Sequence, residues 1–199
     1  AYPYNYMLGT EAQWHNCMDY LDTALRAARL IGAEKMLISV GHGGDCPEAL
    51  RWRRLLRSME YLVRCAEAEH IVLLLETLTP LESNTCTRIR DLKEILETVD
   101  SPWLLGMCDV VAPSLQGEDP VDYCRRLGNR MAHLHLVDCD GVTETHLIPG
   151  EGVLNLKGIV NGFQQAGYDG LATLELVTNY MDDPTGTARL ALQRAKELL

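Results

Sequence analysis

The chain has 199 residues, with 47% hydrophobic residues, 23% charged residues and a formal net charge of -10 at pH 7. This composition is typical of a globular protein, and the length is enough for one sizeable core, so we expect a single domain over residues 1–199. The acidic excess opposes binding to nucleic acid, because contact with phosphates depends on Lys and Arg, and it opposes docking on an anionic membrane. We therefore expect a small neutral or cationic molecule as the partner, and neither nucleic acid nor a membrane.

Five short apolar runs predict β-strands, because continuous runs rich in Leu, Ile and Val suit parallel strands that are covered on both faces. In chain order, the predicted strands cover residues 36–41, 71–76, 103–109, 132–138 and 171–177. Amphipathic stretches predict helices over residues 10–31, 47–68, 87–99, 119–127, 155–166 and 184–199. The alternation of strands and helices predicts an α/β fold with a parallel sheet or barrel.

The number of strands is too small for a closed (β/α)₈ barrel, which typically needs about 250 residues. Either the chain is a smaller open α/β sheet, or three βα units are absent from the N-terminus. The opening AYPYNYMLG reads as a loop and begins with Ala1, which favours a missing upstream segment.

Cysteine usage and hydropathy indicate a cytoplasmic location. The seven cysteines are scattered and include no Cys-x-x-Cys pair, so we expect reduced thiols rather than a disulfide framework. No apolar run approaches the roughly 18 residues of a membrane span, and no signal peptide is recognisable.

Acidic residues and histidines lie at the ends of the predicted strands, where the active sites of parallel α/β proteins gather. The set comprises His42, Glu76, Asp109, the pair His133 and His135, and Glu175. Burying a carboxylate alone is costly, and one divalent cation is the simplest partner that several carboxylates can share. Three carboxylates with one imidazole suit Mn²⁺ first, with Mg²⁺, Co²⁺ and Zn²⁺ as alternatives.

Each of these residues alone also has an ordinary structural interpretation. Glu76 suits a helix cap or an ion pair, and Asp109 suits a turn before the sequence VVAP. A single histidine in a strand is more often a hydrogen-bonded core residue than a ligand. His133 and His135 share one face of their strand because strand side chains alternate, and we expect only one of them to contact a metal.

Four segments together resemble the sugar-phosphate isomerase/epimerase superfamily, the xylose isomerase-like TIM barrels: LLLETLTPLESN, MCDVVAP, HLHLVDCDG with THLIPGEG, and TLELVTNYMDDP. Within it the chain looks most like the fructoselysine 3-epimerases, and the similarity covers essentially all 199 residues. The resemblance implies a (β/α)₈ TIM barrel of which this chain supplies strands four to eight, so that about three N-terminal βα units are expected to be absent.

The resemblance also implies a reaction and a ligand set. The four ligands of one divalent metal correspond to Glu76, Asp109, His135 and Glu175. We expect epimerisation at C3 of a ketose derivative of the fructoselysine/psicoselysine type, through a metal-stabilised enediolate. Glu76 and Glu175 are the catalytic candidates, one removing the C3 proton and the other returning a proton to the opposite face.

The substrate contacts are predicted less directly. The superfamily has a second, substrate-contacting acid six residues after the first Glu, and Glu82 stands at that position. His42 and His146 are further substrate-binding candidates. Ketohexose epimerases have a histidine where this chain has Ala112 and an arginine near the position of His146, and these differences favour a sugar with an amino-acid substituent.

Three other functions remain open at this level. An aldose–ketose isomerase on the same scaffold would use the same metal and the same type of intermediate. An endonuclease-type phosphodiesterase of the superfamily would need more histidines and a basic groove, which the charge of -10 opposes. A truncated remnant would bind metal or sugar without turnover. A homo-oligomer is also compatible with the sequence.

Overall fold

The computed structural model describes residues 5–177 and 180–199. The helices are α1 (Glu11–Leu30), α2 (Glu48–Glu69), α3 (Ile89–Val99), α4 (Val111–Leu115), α5 (Val121–Leu127), α6 (Leu156–Gln165) and α7 (Pro184–Lys196), with a 3-10 turn at Gly128–Arg130. The strands are β1 (Lys35–Ser39), β2 (Val72–Glu76), β3 (Leu104–Asp109), β4 (Met131–His135) and β5 (Ala172–Thr173). They form one sheet in the order β1-β2-β3-β4-β5.

The chain divides into two compact units, residues 1–106 and 107–199, with the boundary inside β3. The expectation of one domain over residues 1–199 remains a prediction. Each unit is described below by itself.

In the first unit, α1 and α2 pack together beside the strands. Thr10 begins α1 with a capping box: its side chain accepts a hydrogen bond from the Gln13 amide, and the Gln13 side chain accepts one from the Thr10 amide. The indole nitrogen of Trp14 in α1 donates to the hydroxyl of Ser58 in α2 at 2.8 Å. Ser58 is fully buried, so this bond satisfies a polar group at the helix–helix contact.

The strands of the first unit are parallel, and their register brings the ends of β1 and β2 level. Ser39 of β1 lies opposite Glu76 of β2, and Leu75 of β2 lies opposite Gly106 of β3. Four of the five residues of β2 are buried. Burial of consecutive residues means that both faces of the strand are covered, as the unbroken apolar run predicts.

In the second unit, β4 and β5 pair in parallel, and His135 lies opposite Thr173. A small apolar cluster lies close to the end of β3, formed by Val111, Val137 and Cys139 with Leu115, Leu154 and Leu176. These residues come from α4 and from the segments that follow β4 and β5. The cluster therefore anchors the loops at the carboxyl ends of the strands.

Two elements differ from the sequence prediction. The last strand is confined to Ala172–Thr173 rather than residues 171–177, and it pairs with β4 as far as His135 and Thr173. Glu175 therefore lies two residues beyond the strand, not inside it. The short helix α4 was not predicted, because five residues are too few to show a helical period.

The described helices do not include one that is both long enough and apolar enough to cross a membrane.

The buried face of α2 gives a test of the fold. Leu55 is completely buried, whereas Leu30, at the end of α1, is 87% exposed. We expect Leu55→Ala to lower the free energy of unfolding by about 2–5 kcal/mol, since it removes buried methyl groups and leaves a cavity. Urea denaturation measures this loss. Leu30→Ala is the matched control, with an expected change within about 0.5 kcal/mol; equal effects would contradict the packing described here.

Candidate metal centre

Three predicted ligands of the second unit come together at the carboxyl ends of its strands. Asp109 ends β3, His135 ends β4, and Glu175 follows β5. One ligand atom from each residue lies within 4.8 Å of the others. Nδ1 of His135 is 3.0 Å from Oε2 of Glu175 and 3.5 Å from Oδ2 of Asp109. The three groups are therefore close enough to share one cation.

The carboxylate of Asp109 is used asymmetrically. Its Oδ1 accepts a hydrogen bond of 2.7 Å from the amide of Val111, which joins it to the start of α4. Its Oδ2 is buried and has no hydrogen-bond donor among the described residues. The whole side chain is only 6% exposed. A buried carboxylate oxygen without a donor is costly. Oxygen and imidazole ligands around it fit a divalent cation, so the residues present suit the predicted metal.

Glu175 is ionised in this environment. The hydrogen bond from His135 holds the pKa of its carboxyl below the ordinary value, with further help from the charges of His135 and His146, while desolvation opposes the shift. The side chain of Glu175 remains 42% exposed. It is therefore a carboxylate at neutral pH that solvent, or a molecule entering from solvent, can reach.

His135 is the histidine of its strand that lies in the cluster. Its neighbour His133 has Nε2 2.8 Å from the hydroxyl of Thr173 in β5, and the two imidazole rings meet edge to face at 5.6 Å. Nδ1 of His135 is the ring nitrogen that faces Oε2 of Glu175, at 3.0 Å. Coordination of a metal by that nitrogen requires the nitrogen to carry no proton.

His146 adds a second imidazole to the cluster. It lies in the loop between β4 and α6, so the predicted strands and helices give no indication of its position. It is 6% exposed, and its Nδ1 donates to the backbone oxygen of Glu175 at 3.0 Å. Its Nε2 lies 3.7 Å from Oδ2 of Asp109 and 3.9 Å from Oε1 of Glu144. Glu144 was not predicted; its only sequence signal is that it lies two residues before His146.

In the first unit, Glu76 ends β2 as predicted and is buried, with 6% of its surface exposed. His42 and Glu82 are both exposed and lie in the loops that follow β1 and β2. Nδ1 of His42 accepts from the amide of Gly44 at 3.0 Å, and Glu82 accepts a longer bond of 3.4 Å from the hydroxyl of Thr79.

Asn84 joins the two loops of the first unit, and sequence reasoning did not single it out. Its side-chain oxygen accepts from the amide of Gly43, and its side-chain nitrogen donates to the carbonyl of Gly44. The loop that contains His42 and the loop that contains Glu82 are therefore tied together at the same end of β1 and β2.

Comparisons with known proteins identify the family and the fold of the chain. The family model described as xylose isomerase-like TIM barrel matches residues 1–198. Fructoselysine 3-epimerases of Shigella flexneri and of Escherichia coli O157:H7 are each 41% identical to this chain over 200 residues; the match covers 100% of this chain and 72% and 73% of those proteins. The crystal structure of a D-tagatose 3-epimerase-like protein superposes with a TM-score of 0.80 at 18% identity, covering 100% of this chain and 77% of that one. The similarity confirms the predicted TIM-barrel fold, of which this chain spans about three quarters.

The oxygen of Asp109 without a donor gives a test of metal binding. We expect Asp109→Asn to weaken Mn²⁺ binding at least about tenfold, because it removes one negative charge from the ligands. Isothermal titration calorimetry measures the affinity. Asp122→Asn, which alters an exposed carboxylate paired with Arg125, is the control; a similar affinity in both variants would contradict a cation at Asp109.

The bond between His135 and Glu175 gives a test by titration. We expect His135→Ala to raise the pKa of Glu175, because the variant removes the donor that is the largest cause of its low value. Carbon-13 NMR of the metal-free protein follows the carboxyl. The pKa of Asp140, held at about 2 by its own turn, should not move. An unchanged pKa of Glu175 would contradict the contact.

Proposed function

The chain belongs to the family of xylose isomerase-like TIM barrels, and we propose that it is a metal-dependent epimerase that inverts C3 of a fructoselysine-type ketose derivative. Its relatives place it among the epimerases; the sugar and the role of each residue belong to the proposal. The observation on which the proposal rests most is the cluster of Asp109, His135 and Glu175 at successive strand ends.

We assign four metal ligands, the three of this cluster and Glu76. Glu76 ends β2, the strand that pairs with β3, and its burial is what a ligating carboxylate requires. A bound divalent ion would supply Lewis-acid chemistry, withdrawing electrons from the ketone so that negative charge can develop beside it. Mn²⁺ is the first choice because the set contains three carboxylates and one nitrogen.

The two glutamates move the protons. Glu175 is ionised and partly exposed, so it is suited to accept the proton that leaves C3 of the sugar. The carbon is then planar, and Glu76, which must start the cycle in its protonated form, donates its proton to the opposite face of that carbon and so inverts the configuration. The roles exchange in the reverse direction, and both carboxyl groups return to their starting states by exchange with water.

The remaining predicted residues are assigned to substrate binding. Nδ1 of His146 is engaged by the backbone of Glu175, so its Nε2 is the nitrogen available to a sugar hydroxyl. Glu82 and His42 lie on exposed loops that are tied together by Asn84, where they suit contacts to the more distant part of a substituted sugar. Ala112 is buried, and its methyl side chain offers no hydrogen bond to a substrate.

Replacement of either catalytic glutamate tests the mechanism. We expect Glu76→Gln and Glu175→Gln each to lower kcat by at least about 100-fold with the fold intact, since a carboxamide neither accepts nor donates the C3 proton at neutral pH. Proton NMR of fructoselysine incubated with the protein and Mn²⁺ in deuterated water measures both inversion and deuterium entry at C3.

Glu97→Gln is the matched control, because Glu97 is an exposed acidic residue of α3 that is paired with Lys93. The control should keep its activity. Deuterium at C1 in place of C3 would identify an aldose–ketose isomerase, and retained inversion in either catalytic variant would reject the assignment of the two glutamates.

A further inference from the structure

We infer that Asp138 is a positioning residue, which holds His146 beside Asp109 and Glu175 by closing the loop of residues 138–154. This inference rests on the proposed function for its kinetic consequence, but the geometry behind it lies wholly within the second unit. Asp138 follows β4, is 1% exposed, and has no part in the predicted ligand set.

The carboxylate of Asp138 binds the loop at both of its ends and near its middle. Oδ1 accepts from the amides of Cys139 at 2.9 Å and Leu154 at 3.0 Å, and Oδ2 accepts from the amide of Gly150 at 3.0 Å. These donors are separated by up to 15 residues along the chain. Because its three bonds reach both ends of the loop, one buried carboxylate closes the whole loop.

The backbone of Asp138 connects this closed loop to His146. The amide of Asp138 donates to the carbonyl of Leu147 at 2.9 Å, and the amide of Leu147 donates back at 2.8 Å. Leu147 directly follows His146, so the position of the imidazole is tied to that of Asp138. From there the ring reaches the backbone of Glu175 and lies 3.7 Å from Asp109.

Gly152 shows how closely the loop approaches the carboxylate. A Cβ atom at this position would collide with the carbonyl oxygen of Cys139 and with the carboxylate of Asp138. The collision involves backbone, which cannot turn aside as a flexible side chain can. The loop therefore requires glycine at position 152, because a side chain there would force the loop away from the carboxylate of Asp138.

The outer side of the loop has its own support. The hydroxyl of Tyr180 accepts from the amide of Ile148 at 3.0 Å and donates to Glu151 at 2.8 Å. Arg194 of α7 contacts the carbonyl of Pro149 and the carboxylate of Glu151. These contacts hold only the segment from Ile148 to Glu151, whereas the bonds of Asp138 reach both ends of the loop and therefore specify where His146 lies.

Asp140 provides a matched comparison two residues away. Its carboxylate also accepts backbone hydrogen bonds, but only from its neighbours Val142 and Thr143, at an exposed turn. It closes a local turn and spans no long segment. Replacing Asp140 therefore changes the same kind of residue in the same loop and leaves the three bonds of the Asp138 carboxylate in place.

The test compares Asp138→Asn with Asp140→Asn. In Asp138→Asn one acceptor becomes an amide donor that faces a backbone amide, so the loop loses at least one of its three bonds. We expect kcat/KM for fructoselysine to fall roughly 100-fold, as for a misplaced binding group, with Mn²⁺ affinity unchanged. Asp140→Asn should match the unaltered protein. Equal activity in the two variants would overturn the inference.

The coupling to His146 separates positioning from a general loss of stability. If Asp138 acts through His146, then adding Asp138→Asn to His146→Ala should cause no further loss of kcat/KM. Losses that multiply would overturn the inference. Gly152→Ala is a second way to disturb the bonds between the loop and Asp138, and it should reproduce the effect of Asp138→Asn.

A readout without turnover distinguishes failure of this inference from failure of the proposed function. Nitrogen-15 NMR of the imidazoles reports whether His146 carries its proton on Nδ1, the form that donates to Glu175. We expect that form in the unaltered protein and in Asp140→Asn, and a mixture of forms in Asp138→Asn and Gly152→Ala. An unchanged tautomer of His146 in both Asp138→Asn and Gly152→Ala would reject the inference, even if the protein epimerises no sugar.

Discussion

The buried carboxylate of Asp109 is the constraint around which the second unit is arranged. One of its oxygens is satisfied by the start of α4, while the other is buried without a donor among the described residues. Positive charge nearby stabilises such an oxygen, and the imidazoles of His135 and His146 are within 4 Å of it. A divalent cation fits the same need with more charge and more ligand sites.

This arrangement also accounts for the state of Glu175. The acid lies beyond the end of β5, where part of its side chain remains open to solvent, yet His135 keeps its pKa low. A base must be ionised and must also reach its substrate. Position beyond the strand provides access, and the neighbouring imidazole provides ionisation, so the two requirements are met by different parts of the structure.

The loop after β4 shows how a second buried acid serves a different purpose. Asp109 has an oxygen without a donor, whereas the oxygens of Asp138 accept three backbone hydrogen bonds. An acid whose oxygens accept hydrogen bonds from backbone donors has its polar atoms satisfied, and it can hold a loop without attracting a metal. The contrast between the two aspartates separates the proposed chemistry from the framework that supports it.

The sequence by itself determined the order of strands and helices and the residue types at the strand ends. Helical and strand periods are local properties, and the limits of β2 (Val72–Glu76) and α3 (Ile89–Val99) follow from them closely. The resemblance of four segments to one superfamily was sufficient to assign the fold, because the fold depends on residue types at matched positions.

Only the tertiary structure decided which of two adjacent histidines faces Asp109, that Glu175 lies outside its strand, and that His146 enters the cluster. His133 and His135 have the same alternation, and nothing local tells them apart; Thr173 of β5 contacts the first, while Asp109 and Glu175 contact the second. The position of His146 depends on hydrogen bonds from Asp138 to residues up to 16 positions away. Hydrogen bonds between residues so far apart produce no periodic pattern in the sequence, so only the tertiary structure shows where His146 lies.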